Sequence, residues 1–341
     1  QTRYERLSTA SGLSQSSIYK ITQDKKGFLW FATGDGLNRY DGHNFKIYRN
    51  DPSDPNTLSG SEIFTVGVDE EGNLWVGTRN SGLNKIELAT GKITRLTKGP
   101  AGQDLSNSSI PSILNIGKGR MGVAVLGMGY LVYDIRTNQV IKSESEWNNP
   151  LVKEVSRLYK HSTGTVWMGT RSGYLLSQLN AHSFIPYQFG ASNFRVRALF
   201  ETKNGDILVG TDGRGIYRFN PKTQQFKVVF FQASDPLSRQ NIVTSLAKDA
   251  LHNLWIGTDN GVYKLNGEDF NSYTNIPSNP DPELGLSSNS IMSLFTDANQ
   301  NTWVGTWEAG LNISFFQKPR FSVLRYKPNT LQGLLSNKVN A

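Results

Sequence analysis

Eight side chains in this sequence could together recognise a polar ligand: Arg79, Asn80, Arg171, Asp212, Arg214, Asp259, Trp307 and Glu308. Arginine forks hold acidic or hydroxyl groups by paired hydrogen bonds, and an indole stacks on a sugar ring, so the set suits a sugar or a peptide. All eight sit just after a Gly-Thr pair, as in Gly77-Thr78-Arg79-Asn80 and Gly305-Thr306-Trp307-Glu308. The plain alternative is a set of solvated loops, because loops often carry binding sites but need not.

Other chemistry finds less footing. His43, His161, His182 and His252 are scattered without ligand spacing, which suits structural or surface roles better than a metal. Asp24, Asp69, Asp249 and Asp297 recur, yet none brings a second carboxylate at a calcium-loop offset. Each instead opens a tight turn, where Asp caps its own backbone. Gly34-Asp35-Gly36 and Gly127-Met128-Gly129 lack the remaining glycines and the following helix of a phosphate loop. No Gly-x-Ser-x-Gly elbow occurs. Cysteine is absent, which excludes disulfides, zinc-thiolate sites and cysteine nucleophiles. No metal, cofactor or catalytic residue is expected.

A repeat announces the elements that must position these residues. Ahead of Trp75 stand Ile63, Val66, Asp69 and Gly72, and Gly77-Thr78 follow it. The same register returns at Trp30, Val125, Trp167, Leu208, Trp255 and Trp303, with neighbouring anchors 41 to 50 residues apart. Ile63 and Val66, an odd number of residues apart, are expected on opposite faces of a strand, and Leu74-Trp75-Val76 cover both faces. A sheet apolar on both faces must be covered on both. Small antiparallel sheets stacked face to face in a ring meet that condition. The expected fold is therefore all-β, a seven-bladed β-propeller of four-stranded antiparallel blades centred on those seven anchors.

Within each blade, pairs such as Ile18/Ile21, Ile63/Val66 and Ile113/Ile116 mark the inner strand, and the Gly of each Gly-Thr marks a close approach between blades. Outer strands are expected at Phe45 to Tyr48, Ile93 to Leu96, Phe226 to Val229 and Phe270 to Tyr273, with less regular ones near Val140-Ile141 and Phe184 to Phe189. Leu-Ser pairs (Leu13-Ser14, Leu58-Ser59, Leu237-Ser238, Leu286-Ser287) lead into inner strands. Tyr4 to Leu7 is then an orphan outer strand. It is expected to close the ring on the blade of Trp303, in competition with Phe321 to Tyr326, because an unpaired edge is a liability.

The Leu-Trp-x-Gly-Thr-x-x-Gly-Leu signature, held in register across seven copies, resembles the two-component regulator propeller repeat. That resemblance implies the N-terminal periplasmic sensor propeller of a bacterial hybrid histidine kinase, an inner-membrane protein whose membrane helix and kinase lie outside this stretch. It implies a carbohydrate signal, an oligosaccharide ligand, a second propeller and downstream sensor domains in the same chain, and a homodimer of the full receptor. Two alternatives stay open. One is a propeller enzyme similar to streptogramin lyase, which needs a His or carboxylate pair with a shifted pKa in the central funnel. The other is a structural module whose neighbour binds the ligand.

Bulk properties fit a repeat ring. The 341 residues are 37% apolar, without a run of apolar residues long enough to span a membrane. The formal charge of +8 suits attraction to an anion such as an acidic glycan or a membrane surface, or simply a solvated surface with a modest excess of lysine and arginine. Basic residues never run longer than Lys25-Lys26, which argues against nucleic acid. The propeller is expected over residues 1–326. Residues 327–341, where Pro328-Asn329-Thr330-Leu331 echoes Pro55-Asn56-Thr57-Leu58, read as the start of a further repeat leading into a second propeller.

Overall fold

The structure, a computed structural model, describes residues 4–141, 150–178, 183–190, 194–231, 234–235 and 237–317. Phe321 to Tyr326, residues 327–341, Trp147 and His182 lie outside them. Seven four-stranded antiparallel sheets follow one another along the chain, each ordered from inner to outer strand. In blade one the strands are Ile18–Gln23, Leu29–Thr33, Gly36–Tyr40 and Phe45–Tyr48. One short helix, Pro150–Lys153, leads into blade four.

The second strands explain the ring. Leu74–Thr78 is buried at every position, as are Leu29–Thr33, Val166–Thr170, Ile207–Thr211, Leu254–Thr258 and Thr302–Thr306. Leu74 and Val76 pack with Trp30 and Leu58 toward blade one, while Trp75 packs with Ile113 and Tyr133 of blade three. Each such side chain contributes about 1.5–3 kcal/mol of apolar burial. The glycine lets the blades meet. A Cβ on Gly77 would stand 2.6 Å from Ile110 Cγ2, and one on Gly169 only 2.3 Å from Val196 Cγ1.

The inner strands correct one expectation. Ile63 pairs with Thr78 but Thr65 pairs with Gly77, so Phe64 is an inserted bulge residue. The same shift follows Ile18, Val155, Val196, Val243 and Ile291. An extra residue resets the alternation. Ile63 and Val66 therefore share one face and one apolar cluster, as do Ile18 and Ile21. Blade three pairs regularly from Ser112 to Asn115, and there Ile113 and Ile116 do fall in different clusters.

Ring closure matches the expectation for the N-terminus. Tyr4–Leu7 pairs antiparallel with Leu311–Ser314, completing the blade of Trp303 from both ends of the chain. Arg6 fastens the joint: its Nη2 donates to the carbonyls of Asn279 (2.5 Å), Gly285 (3.0 Å) and Leu286 (3.1 Å).

Two details differ from expectation. The outer strand of blade six is Tyr273–Ile276, not Phe270 to Tyr273. Asp269 holds a turn there by accepting from Asn271 N, which carries the polar connection further along the chain. Leu237 is 93% exposed, whereas Leu13, Leu58 and Leu286 are buried. In blades one, two and seven a third-strand asparagine (Asn38, Asn84, Asn312) accepts from the backbone N–H of the Ser after that leucine. Blade six has Tyr263 at this position, so Ser238 instead caps a short 3-10 turn.

Candidate functional site

Loops between the second and third strands and the blade-to-blade connections share one face of the ring, and backbone bonds lock them together. Arg79 N donates to Glu62 O, Arg171 N to Glu154 O, Asp212 N to Arg195 O and Trp307 N to Ser290 O. The repeat threonine shapes the loops. Thr78 Oγ1 donates to Gly82 O (2.8 Å) and accepts from Ser81 N; Thr211 and Thr306 close theirs likewise onto Gly215 and Gly310. The Gly-Thr signature is thus a device for presenting whatever follows it.

Four of these blades also explain the recurrent aspartate. Asp69 Oδ1 accepts from the turn amides of Glu71 and Asn73, and its Oδ2 accepts from Trp75 Nε1 at 2.9 Å. Asp24 with Trp30, Asp249 with Trp255 and Asp297 with Trp303 repeat the pair. These carboxylates are committed to structure. Among the described residues no group of three or more His, Asp or Glu side chains converges as a metal set would.

The sequence-derived residues divide into two groups. Trp307, 42% exposed, lies 6.1 Å from the Tyr19 ring, and Tyr19 lies 6.2 Å from Phe64. Arg79 closes this row, with its guanidinium 5.8 Å from the Phe64 ring and Nη1 2.9 Å from Glu62. A row of tilted and edge-on aromatic rings thereby spans blades seven, one and two. Arg171 and Asp212 belong to the same mouth: both act electrostatically on Arg195, as does Arg79. Asp212 Oδ2 stands 3.2 Å from Arg197 Nε. Asn80 and Glu308 are exposed on their loops. By contrast Arg214 turns over the Phe194 ring at 4.5 Å. Asp259 is occupied by Arg239 (2.6 Å) and by the Ser290 hydroxyl.

Residues missed in the sequence sit on the inner strands, around an axial cavity of about 400 Å³. Tyr19 and Lys20, Phe64 and Thr65, and Arg197 and Ala198 are consecutive lining residues, each pair formed where a bulge interrupts the alternation. Arg157 of blade four lines it too. Burial, then Arg195 and Arg197, push the Arg157 guanidinium down to about 9. Burial and then Arg157 lower Lys20. One signal could have found them: polar residues lying between the paired apolar anchors of each inner strand.

The two-component regulator propeller model matches residues 12–35, 57–80, 237–260 and 285–308, each running from the Leu-Ser entry or close to it through the Gly-Thr loop. Four of the seven blades thus match the two-component regulator propeller repeat. The structure of the extracellular domain of the hybrid two-component system BT3049 from B. thetaiotaomicron aligns with 92% of this propeller at a TM-score of 0.77 and 26% identity. The alignment spans 42% of that domain. Histidine kinase P4 of Formosa agariphila is 54% identical over 56 residues, which is 16% of this chain and 4% of that protein. Virginiamycin B lyase from Staphylococcus aureus has the same fold, with a TM-score of 0.69 at 12% identity over 92% of this chain and 98% of its own. The chain thus resembles extracellular domains of hybrid two-component systems and spans less than half of the one it matches. No helix among its described residues is long and apolar enough to cross a membrane.

Proposed function

We propose that this chain is the non-catalytic, periplasmic sensor propeller of a hybrid two-component histidine kinase, and that its signal is an oligosaccharide bound at the loop face. The aromatic row of Trp307, Tyr19 and Phe64, ending in Arg79 beside the axial cavity, carries this reading. A half-exposed indole costs solubility unless something covers it, and sugar rings suit a flat aromatic face. Trp307 stacks on the ring, Arg79 and Arg171 hold hydroxyl or acidic groups, and Asn80, Asp212 and Glu308 form the polar rim. Arg214 and Asp259 stay with their present partners.

A lyase-like activity is less well supported. Among the described residues lining the axial cavity there is no histidine and no carboxylate to act as general base. A scaffold role, with the ligand on a neighbouring propeller, is the competing reading. Calorimetric titration of the chain with neutral and acidic oligosaccharides tests both. Binding weakened at least about tenfold by Trp307→Ala supports the mouth as the site. Binding that survives Trp307→Ala together with Arg79→Ala sinks the site. Failure of every glycan leaves the scaffold, and substrate turnover would overturn the non-catalytic reading.

A further inference from the structure

Lys20 of blade one, Arg157 of blade four, Arg197 of blade five and Lys248 of blade six line the axial cavity, Lys248 paired with Glu268 at 3.4 Å, and Arg195 stands at the entry to blade five close enough to act on Arg157. One carboxylate, Asp212, faces Arg195 and Arg197. Among the described residues neither Lys20 nor Arg157 has an ion-pair partner. Arg157 spends Nε on Arg197 O (2.6 Å) and Nη1 on Ser156 O (2.7 Å), which leaves its charge uncompensated. Arg195 Nε is buried and makes no hydrogen bond among the described residues, while Arg197 Nε faces Asp212 Oδ2 at 3.2 Å. Lys20 still exposes much of its surface, into the cavity rather than to an outer face of the ring.

Such an arrangement is costly by itself. Like charges repel strongly where water is scarce, and an unpaired buried donor forfeits its hydration. Arg157 stays cationic at neutral pH, since its lowered value of about 9 still lies above that pH. A stable scaffold has no use for this cost; a binding site does, because an arriving anion relieves it. Guanidinium forks match planar or tetrahedral oxyanions through parallel N–H donors, and a cavity of about 400 Å³ admits such a group with part of its carrier. The bulges make the cavity continuous with the mouth, because Tyr19 of the aromatic row directly precedes Lys20 in the chain.

We propose that the axial channel is an oxyanion site, in which Lys20, Arg157 and Arg197 hold a carboxylate or sulfate group carried by the glycan that stacks at the mouth. The identity of the carrier rests on the oligosaccharide reading above; the oxyanion site itself does not. The whole chain is therefore melted in sodium sulfate and in sodium chloride at equal ionic strength, and titrated with trigalacturonate, a sulfated disaccharide and neutral cellotriose. Sulfate is expected to raise the melting temperature beyond chloride in the wild type, with the difference lost in Arg157→Met/Arg197→Met. Without added anion that variant is expected to melt no lower than the wild type, because a repulsion has gone. Lys20→Met, on the opposite side of the ring sequence, provides a second variant should the double one fold poorly. Preference for trigalacturonate over the sulfated disaccharide, or the reverse, tells carboxylate from sulfate. Equal sulfate effects in wild type, double variant and Lys20→Met would overturn the site. Sulfate stabilisation without binding of any glycan would keep the site and remove the carbohydrate carrier. Equal affinity for cellotriose and the acidic sugars, unchanged in the variants, would keep the carbohydrate reading and remove the oxyanion site.

Discussion

Blades one, two, six and seven carry an aspartate whose free oxygen takes the indole N–H of the repeat tryptophan; blades three, four and five do not. Blade five replaces both partners, with Thr202 and Leu208 in their places. Blade three has Gly119 and Val125. Blade four keeps Trp167 but has His161, whose ring nitrogens bond Thr163 and the Gly205 carbonyl instead. Trp167 Nε1 is consequently buried without a hydrogen-bond partner among the described residues. Aspartate and tryptophan thus behave as one unit, a bond between the hairpin turn and the interblade core. The four blades that have it are the four matched by the family model. The cations lining the axial cavity come from both kinds of blade, Lys20 and Lys248 from bonded ones and Arg157 and Arg197 from the others.

The comparison can be broken most forcefully at the ring closure of a bonded blade. Deleting residues 1–8 removes buried Tyr4 and Leu7 together with the Arg6 clamp. The expected loss is about 3–6 kcal/mol from apolar burial alone, read from denaturant midpoints. Unchanged stability would mean that blade seven is completed by some other strand. Trp255→Ala follows, at about 3–5 kcal/mol. It empties a site lined by Tyr4, Leu286, Ile291 and Val304, and it strands Asp249. A loss under about 1 kcal/mol would contradict that packing.

A paired substitution sharpens the contrast. Trp75→Phe deprives buried Asp69 of its indole, whereas Trp167→Phe removes a donor that bonds nothing. Trp75→Phe is expected to cost about 1–3 kcal/mol more than Trp167→Phe, and equal losses would dissolve the distinction between the two kinds of blade. The smallest effect is the acid response. Burial works to raise Asp249, but bonds from Trp255, Asn253 and Lys264 outweigh it and hold this carboxyl below its ordinary value of 3.8. A carboxylate with a depressed folded pKa stabilises fully above the unfolded value, and that contribution disappears as the pH falls through the folded one. Asp249→Asn should therefore flatten the acid limb of a stability profile below about pH 4. An unchanged limb would show that the bonded pair contributes nothing through its charge.

Much of this architecture is written in local sequence. Trp75, Gly77 and Thr78 recur because each performs a task set by its own blade: filling the interface, letting Ile110 approach, and closing the loop through Gly82. Asp69 was legible as a turn residue for the same reason, since Glu71 and Asn73 are its near neighbours in the chain. Even Tyr4 to Leu7 stood out as a strand without a partner, and Trp307 as an aromatic residue out of register. What sequence could not convey is what depends on convergence. The bulge at Phe64 is defined by its pairing across to Thr78 and Gly77, so the face shared by Ile63 and Val66 emerged only with the sheet. Leu237 matched the Leu-Ser pattern but lacks the asparagine across the blade that makes the pattern work. Lys20 precedes Arg157 by 137 residues and Arg157 precedes Arg197 by 40, and although each lies between the apolar anchors of its inner strand, that spacing does not bring their charges together. Ring closure alone brings their charges to one axis, where distance and exclusion of water, not sequence order, set how strongly they act on one another.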